Sequence, residues 1–393
     1  MDLALNSEKS VLFLYFTCNY MYKNVIIIGN NYYGEFVTAG LYIHIPFCVK
    51  KCNYCDFYSM GGNSTVSDAY VDAVVNEIKK YKDIQWKTAY FGGGTPSLLS
   101  PSQVERILKC ADITENAEIT LEANPETVDY EKLCGFRKAG VNRISFGVQT
   151  ANQHSLETLG RIHSNQKVTE AFENAKKAGF DNISGDVMIG LPGYSNRELD
   201  ETVELLASLG ATHISSYMLK IEEGTPFAVN TPSGLPQEDE MCDFYLYACE
   251  KIESLGYKQY EISNFAKEGF QSQHNNIYWK LEDYVGIGPS AHSCLNGKRF
   301  FYPRDIHSFI NNPQTVADGE VDSDEFIMLS LRLKKGLNLT ELREKWGKEL
   351  TPLQNKKLKM LEKQGYITFE DNTVSLTPKG FLMENAIACE IML

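Results

Sequence analysis

Apolar positions along this chain alternate between strand-like and helix-like runs from Gly40 to about residue 220. Leu41 to Ile45 reads as a first strand. Ser67 to Tyr81 reads as a helix with Val71, Val74, Val75 and Ile78 on one face. Thr88 to Phe91 predicts a short strand that runs into Gly92-Gly-Gly-Thr-Pro96. The next helix carries its own start signal, with Ser100 as cap, Pro101 in the first turn and Gln103 as the reciprocal partner. Strands over Ala117–Asn124, Arg143–Gln149, 183–191 and His213–Leu219 alternate with helices over Tyr130–Lys138, 167–178 and 196–208. Six such steps predict parallel strands with helical crossovers, too few to close an eight-fold barrel. The expected fold class is therefore α/β, a six-stranded, open, partial (β/α) barrel over residues 40–225. Functional groups of such a barrel gather at the carboxyl ends of its strands.

Beyond the barrel the pattern changes. Thr225-Pro, Thr231-Pro and Gly234-Leu-Pro236 punctuate a linker-like stretch, and a helix near 237–255 opens a mixed connecting region over 226–320. Residues 321–393 predict helices near 323–333, 339–346 and 353–364, then a hairpin through Asp371-Asn372, a winged-helix-like α+β domain. Such modules often bind DNA, but residues 320–393 hold eleven Lys and Arg against twelve Asp and Glu. A nucleic-acid reader needs a basic face, so a protein-contact or lid role is expected instead. The whole chain, at −13, points the same way. Residues 1–39 have no place in the β/α repeat. Their apolar runs are too short to span a bilayer, and they lack both a cleavage site and arginine. They read as an N-terminal extension outside the fold, from an upstream start of the reading frame.

The candidate chemistry sits on the loop after the first strand. Cys48, Cys52 and Cys55 stand in a Cys-x3-Cys-x2-Cys run. Three thiolates can hold three irons of a 4Fe-4S cluster and leave the fourth iron open. Zinc would want a fourth ligand, and no Cys or His follows at finger spacing. The other reading is three core thiols. The remaining cysteines lack a paired framework and read as reduced filler in a cytosolic protein. The three-cysteine pattern looks like that of the radical SAM superfamily, in which S-adenosylmethionine (SAM) binds the open iron and yields a 5′-deoxyadenosyl radical.

Further residues fall at strand ends. The glycines of Gly92-Gly-Gly-Thr-Pro96 let backbone approach a ligand, or make a tight turn. Glu122 can accept from a ribose diol or pair with an arginine. Arg161 can hold a carboxylate bidentately or stand solvated at the surface. Asp186, inside an apolar run, needs a ligand or partner. His274-Asn-Asn-Ile-Tyr-Trp279 offers an imidazole and two aromatic rings. From spacing alone, a hydrogen-bonded corner packed on the barrel outweighs a haem ligand there.

Taken together, these motifs resemble the family of oxygen-independent coproporphyrinogen III oxidases and its radical SAM haem-chaperone branch, from Gly40 to the C-terminus. The resemblance implies that Tyr42, Gly93 and Glu122 contact the cluster-bound SAM. It implies that Tyr54, Gly94, Thr95, Gln149, Arg161 and Asp186 match positions that contact a second SAM in the oxidases. The oxidases carry a fourth cysteine two residues after the third. Here that position is Phe57, as in the chaperone branch. The run at 274–279 is similar to the haem-associated signature of that branch, which reverses the preference from spacing and implies haem contacts at His274, Tyr278 and Trp279. The implied activity is haem binding and transfer to haem-requiring membrane or respiratory proteins. Coproporphyrinogen oxidation, a step in porphyrin biosynthesis, is the rival. A cytoplasmic protein is implied, peripheral at the inner face of the membrane, and a homodimer.

Overall fold

The structure is a computed structural model that describes residues 27–28, 31–32 and 37–392. The expected N-terminal extension therefore lies largely outside the described residues. Ile27–Ile28 and Asn31–Tyr32 pair as a two-stranded antiparallel ribbon.

Six parallel strands form the centre: β1 (Val37–Ile45), β2 (Ile84–Gly93), β3 (Ile113–Ala123), β4 (Arg143–Gln149), β5 (Asn182–Ile189) and β6 (His213–Met218). They lie side by side in sequence order. Crossovers run through α1 (Asp68–Ile78), α2 (Pro101–Leu108), α3 (Tyr130–Ala139), α4 (Asn165–Lys177) and α5 (Asn196–Ser208). The expected capping box is present at α2, where Ser100 Oγ accepts from the Gln103 backbone and Gln103 accepts from the Ser100 backbone. In α1 the predicted apolar face of Val71, Val74, Val75 and Ile78 is buried.

The strands have two chemically distinct faces, set by their period of two. Leu41, Ile43 and Ile45 of β1, Phe91 of β2, Leu121 of β3 and Ile144, Phe146 and Val148 of β4 are completely buried in the main apolar core, which the crossover helices share. Each such side chain contributes about 1.5–3 kcal/mol when withdrawn from water. The alternate positions, Tyr42, Tyr90, Glu122, Ser145, Asp186 and Tyr217, point the other way and carry polar groups. Register aligns them. Tyr42 lies beside Tyr90, Glu122 beside Ser145, and Asp186 beside Ser215.

The six-stranded open barrel holds for the parallel core, but the sheet is wider than expected. The stretch read as a connecting region adds strands at both edges. β7 (Lys258–Gln259) and β8 (Asn264–Ala266) extend the β6 edge antiparallel. β9 (Tyr284–Ile287) runs parallel to β1, and β10 (His292–Leu295), β11 (Lys298–Phe301) and β12 (Val316–Glu320) continue outward from it as an antiparallel meander. These strands are short, and only their pairing with the barrel edges marks them as strands. β2 likewise starts at Ile84, four residues before the predicted Thr88, because Val37–Ala39 of β1 supply ladder partners.

The C-terminal region follows the predicted order. Helices Ser323–Arg332, Leu339–Trp346 and Pro352–Lys363 precede the hairpin Ile367–Glu370/Thr373–Leu376. Asp371 and Asn372 have φ of 47° and 59°, the left-handed pair that a tight two-residue hairpin turn requires. This module is tied to the barrel by a bridge between Glu261 and Leu333 and by the Arg332 guanidinium, 4.5 Å from the Trp279 ring centroid.

Candidate functional site

The polar strand face opens into a cavity of about 470 Å³ at the carboxyl ends of the strands. The cysteine loop forms one wall. Its path is fixed by backbone bonds from Cys48 N to Met60 O (2.9 Å), Asn53 N to Leu159 O (3.0 Å) and Phe227 N to Asn53 O (3.0 Å). Cys48, Cys52 and Cys55 all line the cavity. Among the described residues, no three His, Cys, Asp or Glu side chains converge tightly enough to hold one metal ion. Burial above all pushes the Cys55 thiol up to about 11. Arg161 Nη1 lies 3.5 Å from Cys52 Sγ as a donor, the kind of contact that tunes iron-bound sulfur.

The glycine run closes the next wall. Gly94 and Thr95 donate their N–H groups to Ile45 O (2.9 Å) and Phe47 O (2.8 Å), which locks β2 to the start of the cysteine loop. A Cβ on Gly94 would stand 2.7–2.9 Å from those backbone atoms. Gly93 has φ of 106°, and its N–H donates to Glu122 Oε2 (3.2 Å). Tyr90 donates its hydroxyl to Glu122 Oε1 (2.7 Å).

Deeper in, Arg161 donates through Nη2 to Asn124 Oδ1 and Gly147 O, both at 2.7 Å. Its Nε is buried without a hydrogen-bond partner, an orphan donor of the kind a ligand carboxylate satisfies. Gln149, at φ 71°, accepts from the Tyr217 hydroxyl (2.7 Å). Asp186 accepts from Ser145 Oγ (3.3 Å). Tyr54, Thr95 and Asp186 complete the lining.

Burial is the chief cause that raises Glu122 to about 7. The Tyr90 hydrogen bond opposes it, and the nearby Asp186 carboxyl adds to it. Burial also raises Asp186. The buried Arg143 guanidinium favours the ionised form of both. An acid raised in the folded state costs stability as pH climbs from its unfolded value towards 7, and the loss is complete above that. Apo protein carrying Glu122→Gln escapes this loss. Its stability relative to wild type is expected to rise by on the order of 2 kcal/mol between pH 5 and pH 8, read by urea unfolding at each pH.

The structure separates the remaining predicted residues from this cavity. Tyr42 lines a second cavity of about 320 Å³, on the other side of Phe57 and Asp56, together with Tyr278. Trp279 packs under Arg332. His274 has no exposed surface. Its Nδ1 is 2.7 Å from Thr88 Oγ1 and its Nε2 is 2.6 Å from the Tyr278 hydroxyl. Its ring stacks on Tyr90 at 5.0 Å, and burial holds its pKa down at about 3. Both nitrogens of a neutral imidazole are thus engaged. His274 forms the hydrogen-bonded corner on the barrel that spacing alone suggested.

Tyr90, Asn124, Ser145, Tyr217 and Asn275 line the main cavity without having been singled out from sequence. Arg143, a charge inside an apolar strand, gave the same signal as Asp186 and was readable. The tyrosines gave none, since aromatic residues in strands are usually core.

A parallel open barrel with three cysteines facing a strand-end cavity defines a radical SAM protein. The sequence pattern described as Radical SAM superfamily matches residues 42–206, and that described as HemN C-terminal domain matches 320–383. The heme chaperone HemW of Bacillus subtilis is 36% identical over 369 residues, covering 88% of this chain and 97% of that protein. The heme chaperone HemW of Lactococcus lactis is 34% identical, covering 88% and 95%. Coproporphyrinogen III oxidase (HemN) of Escherichia coli shares the fold, with a TM-score of 0.76 at 21% identity over 91% of this chain and 90% of that one. This chain belongs to the HemW heme chaperone family of radical SAM proteins.

Proposed function

We propose that this chain is a haem chaperone that holds a 4Fe-4S cluster and SAM, binds haem and passes it to haem-requiring proteins of the membrane or respiratory chain. The observation that carries the reading is Phe57. It stands exposed at the mouth of the cavity, two residues after the third cysteine, where the resemblance puts an extra cysteine in the oxidases. A phenyl ring cannot ligate iron or move a proton. The site then lacks the group that most clearly separates the oxidase pattern from this one.

Cys48, Cys52 and Cys55 would each hold one iron. When bound, such a cluster supplies an electron to the SAM sulfonium. The protein's own part is orientation. Glu122, held by Tyr90 and the Gly93 N–H, presents a carboxyl to ribose hydroxyls. The glycine run would let the backbone approach the SAM ammonium. Arg161, braced by Asn124 and Gly147 O, offers its unpaired Nε to a carboxylate. Tyr54, Gly94, Thr95, Gln149 and Asp186 line the remainder of the cavity, where a second SAM would lie. Among the described residues, no helix is long and apolar enough to cross a membrane. The reading makes it a cytoplasmic carrier that meets its acceptors at the inner face of the membrane, as a homodimer.

Anaerobic reconstitution followed by hemin titration and a coproporphyrinogen III turnover assay, run side by side, tests the reading. Hemin is expected to bind, and coproporphyrinogen III to remain unconverted. Protoporphyrinogen formation at enzymatic rates with no measurable haem affinity would restore the oxidase.

A further inference from the structure

Arg161 does not stand alone on its loop. The loop runs from the turn at Gly160, φ 77°, to Ser164, which caps α4. Ile162 is exposed, but the side chain two residues on from Arg161 is not: His163 has no exposed side-chain surface. Its Nε2 lies 3.2 Å from Val148 O. A carbonyl only accepts, so Nε2 carries a proton. Its Nδ1 lies 3.4 Å from Glu126 Oε2, and neither of these two buried atoms has a hydrogen-bond partner among the described residues. A proton between them completes the pair. Burial works to raise the Glu126 carboxyl, yet the His163 ring and the Arg161 guanidinium hold it below its ordinary range.

Arg161 and His163 grip the same two segments. Arg161 donates to Asn124 Oδ1, on the loop after β3, and to Gly147 O, near the end of β4. His163 meets Glu126, two residues further along that loop, and Val148 O, one residue further along that strand. Arg161, Asn124 and Gly147 line the cluster cavity, whereas His163, Glu126 and Val148 do not. The first set of contacts is thus the cavity side of a clamp, and the second is its buried back. Gln149 comes next in β4 and is held at φ 71° without being glycine, a conformation that persists only where the surroundings over-determine it. The bond to Val148 O supplies one such constraint. An arginine side chain has much rotamer freedom to lose, and the buried contacts fix the backbone from which it starts. Its guanidinium is also the group that reaches Cys52 Sγ at 3.5 Å.

We propose that His163 is a positioning residue for the cluster site. Held between Glu126 and Val148 O, it fixes the loop so that Arg161 stays against Cys52 and ready for a ligand carboxylate. The inference rests on the reading of this cavity as the site of the cluster and SAM. It gives a role to a buried acid–imidazole pair that lies outside the cavity.

Equilibrium SAM binding and redox titration of the anaerobically reconstituted full chain test it. His163→Phe is expected to weaken SAM binding by roughly three- to tenfold, the worth of one hydrogen bond. It is also expected to move the cluster midpoint potential to more negative values, because a donor to a cluster sulfur favours the reduced state. His163→Gln keeps a donor for Val148 O and is expected to recover most of both. Glu126→Ala changes a partly exposed side chain, so it tests the pair even where His163→Phe fails to fold, and both readouts should move in the same direction. The double variant should lose no more than the larger single loss, since the two residues act as one unit. Wild-type potential and SAM affinity in His163→Phe and Glu126→Ala, with both altered in Arg161→Ala, would overturn the positioning role alone. A wild type that assembles no cluster, or an Arg161→Ala variant unchanged in both readouts, would overturn the reading of the cavity with it.

Discussion

Replacing Cys48, Cys52 or Cys55 singly with alanine is expected to abolish the visible charge-transfer absorbance of the reconstituted protein and most of its bound iron. Each thiolate would serve one iron, and the described residues around the loop contain no tight cluster of His, Cys, Asp or Glu able to take over. The three positions are not equivalent in surroundings. Cys48 is buried at the end of the β1 loop, whereas Cys52 and Cys55 are partly exposed to the cavity, and Cys52 accepts from Arg161. Any one loss still leaves an iron without its protein ligand, so the three variants should behave alike. Alanine at Cys110 or Cys294, which lie away from the cavity, should leave the absorbance intact. Iron and sulfide analysis with visible spectra checks the set, and full iron retention in all three loop variants would refute the ligand assignment.

Gly93→Ala is expected to give the largest loss of fold stability among single substitutions at the site. At φ 106° an L side chain is strained whatever the space around it, and here there is no space either. A Cβ would stand 2.5 Å from the His44 ring, which is itself held by Tyr42 and by Tyr58 O. Strain of this kind costs about 1–3 kcal/mol before the clash is counted. The thermal midpoint should fall by roughly 1–4 °C from the strain alone and further for the clash. SAM affinity should fall as well, because Gly93 N–H fixes Glu122. Gly62, also at positive φ (84°) but with nothing within 4 Å of a methyl added there, is the control for the clash, and Gly62→Ala should cost distinctly less. Equal midpoints for the two alanine variants would show that His44 yields freely.

Local information was enough for the parallel core. Val71, Val74, Val75 and Ile78 sit at helical spacing, Ser100, Pro101 and Gln103 announce a helix start, and each strand–helix alternation is complete within a single stretch of 25 to 42 residues. Chemistry that depends on short spacing was equally legible. Three cysteines within eight positions, a glycine run at a strand end, and a carboxylate or guanidinium among apolar neighbours are all local signals. Glu122, Gln149, Arg161 and Asp186 fall into one cavity because parallel strands bring their carboxyl ends to one rim, so the alternation pattern carried the site with it.

Short edge strands such as β7 and β9 could not be read, because two to four residues carry no period of their own. β9 exists only because β1 presents an unpaired edge to Tyr284–Ile287. Burial of a particular imidazole was beyond the sequence for the same reason. His274 and His292 are both single histidines next to aromatic residues. One lies between Thr88, Tyr90 and Tyr278, with both nitrogens engaged, and the other lies on an outer strand with its side chain 58% exposed. What the chain alone determined was the set of groups and the end of the barrel they occupy. Which groups are sealed in the core and which face a ligand was decided by packing between segments more than 180 residues apart, such as Thr88 and His274, a contact between distant segments that local periodicity does not encode.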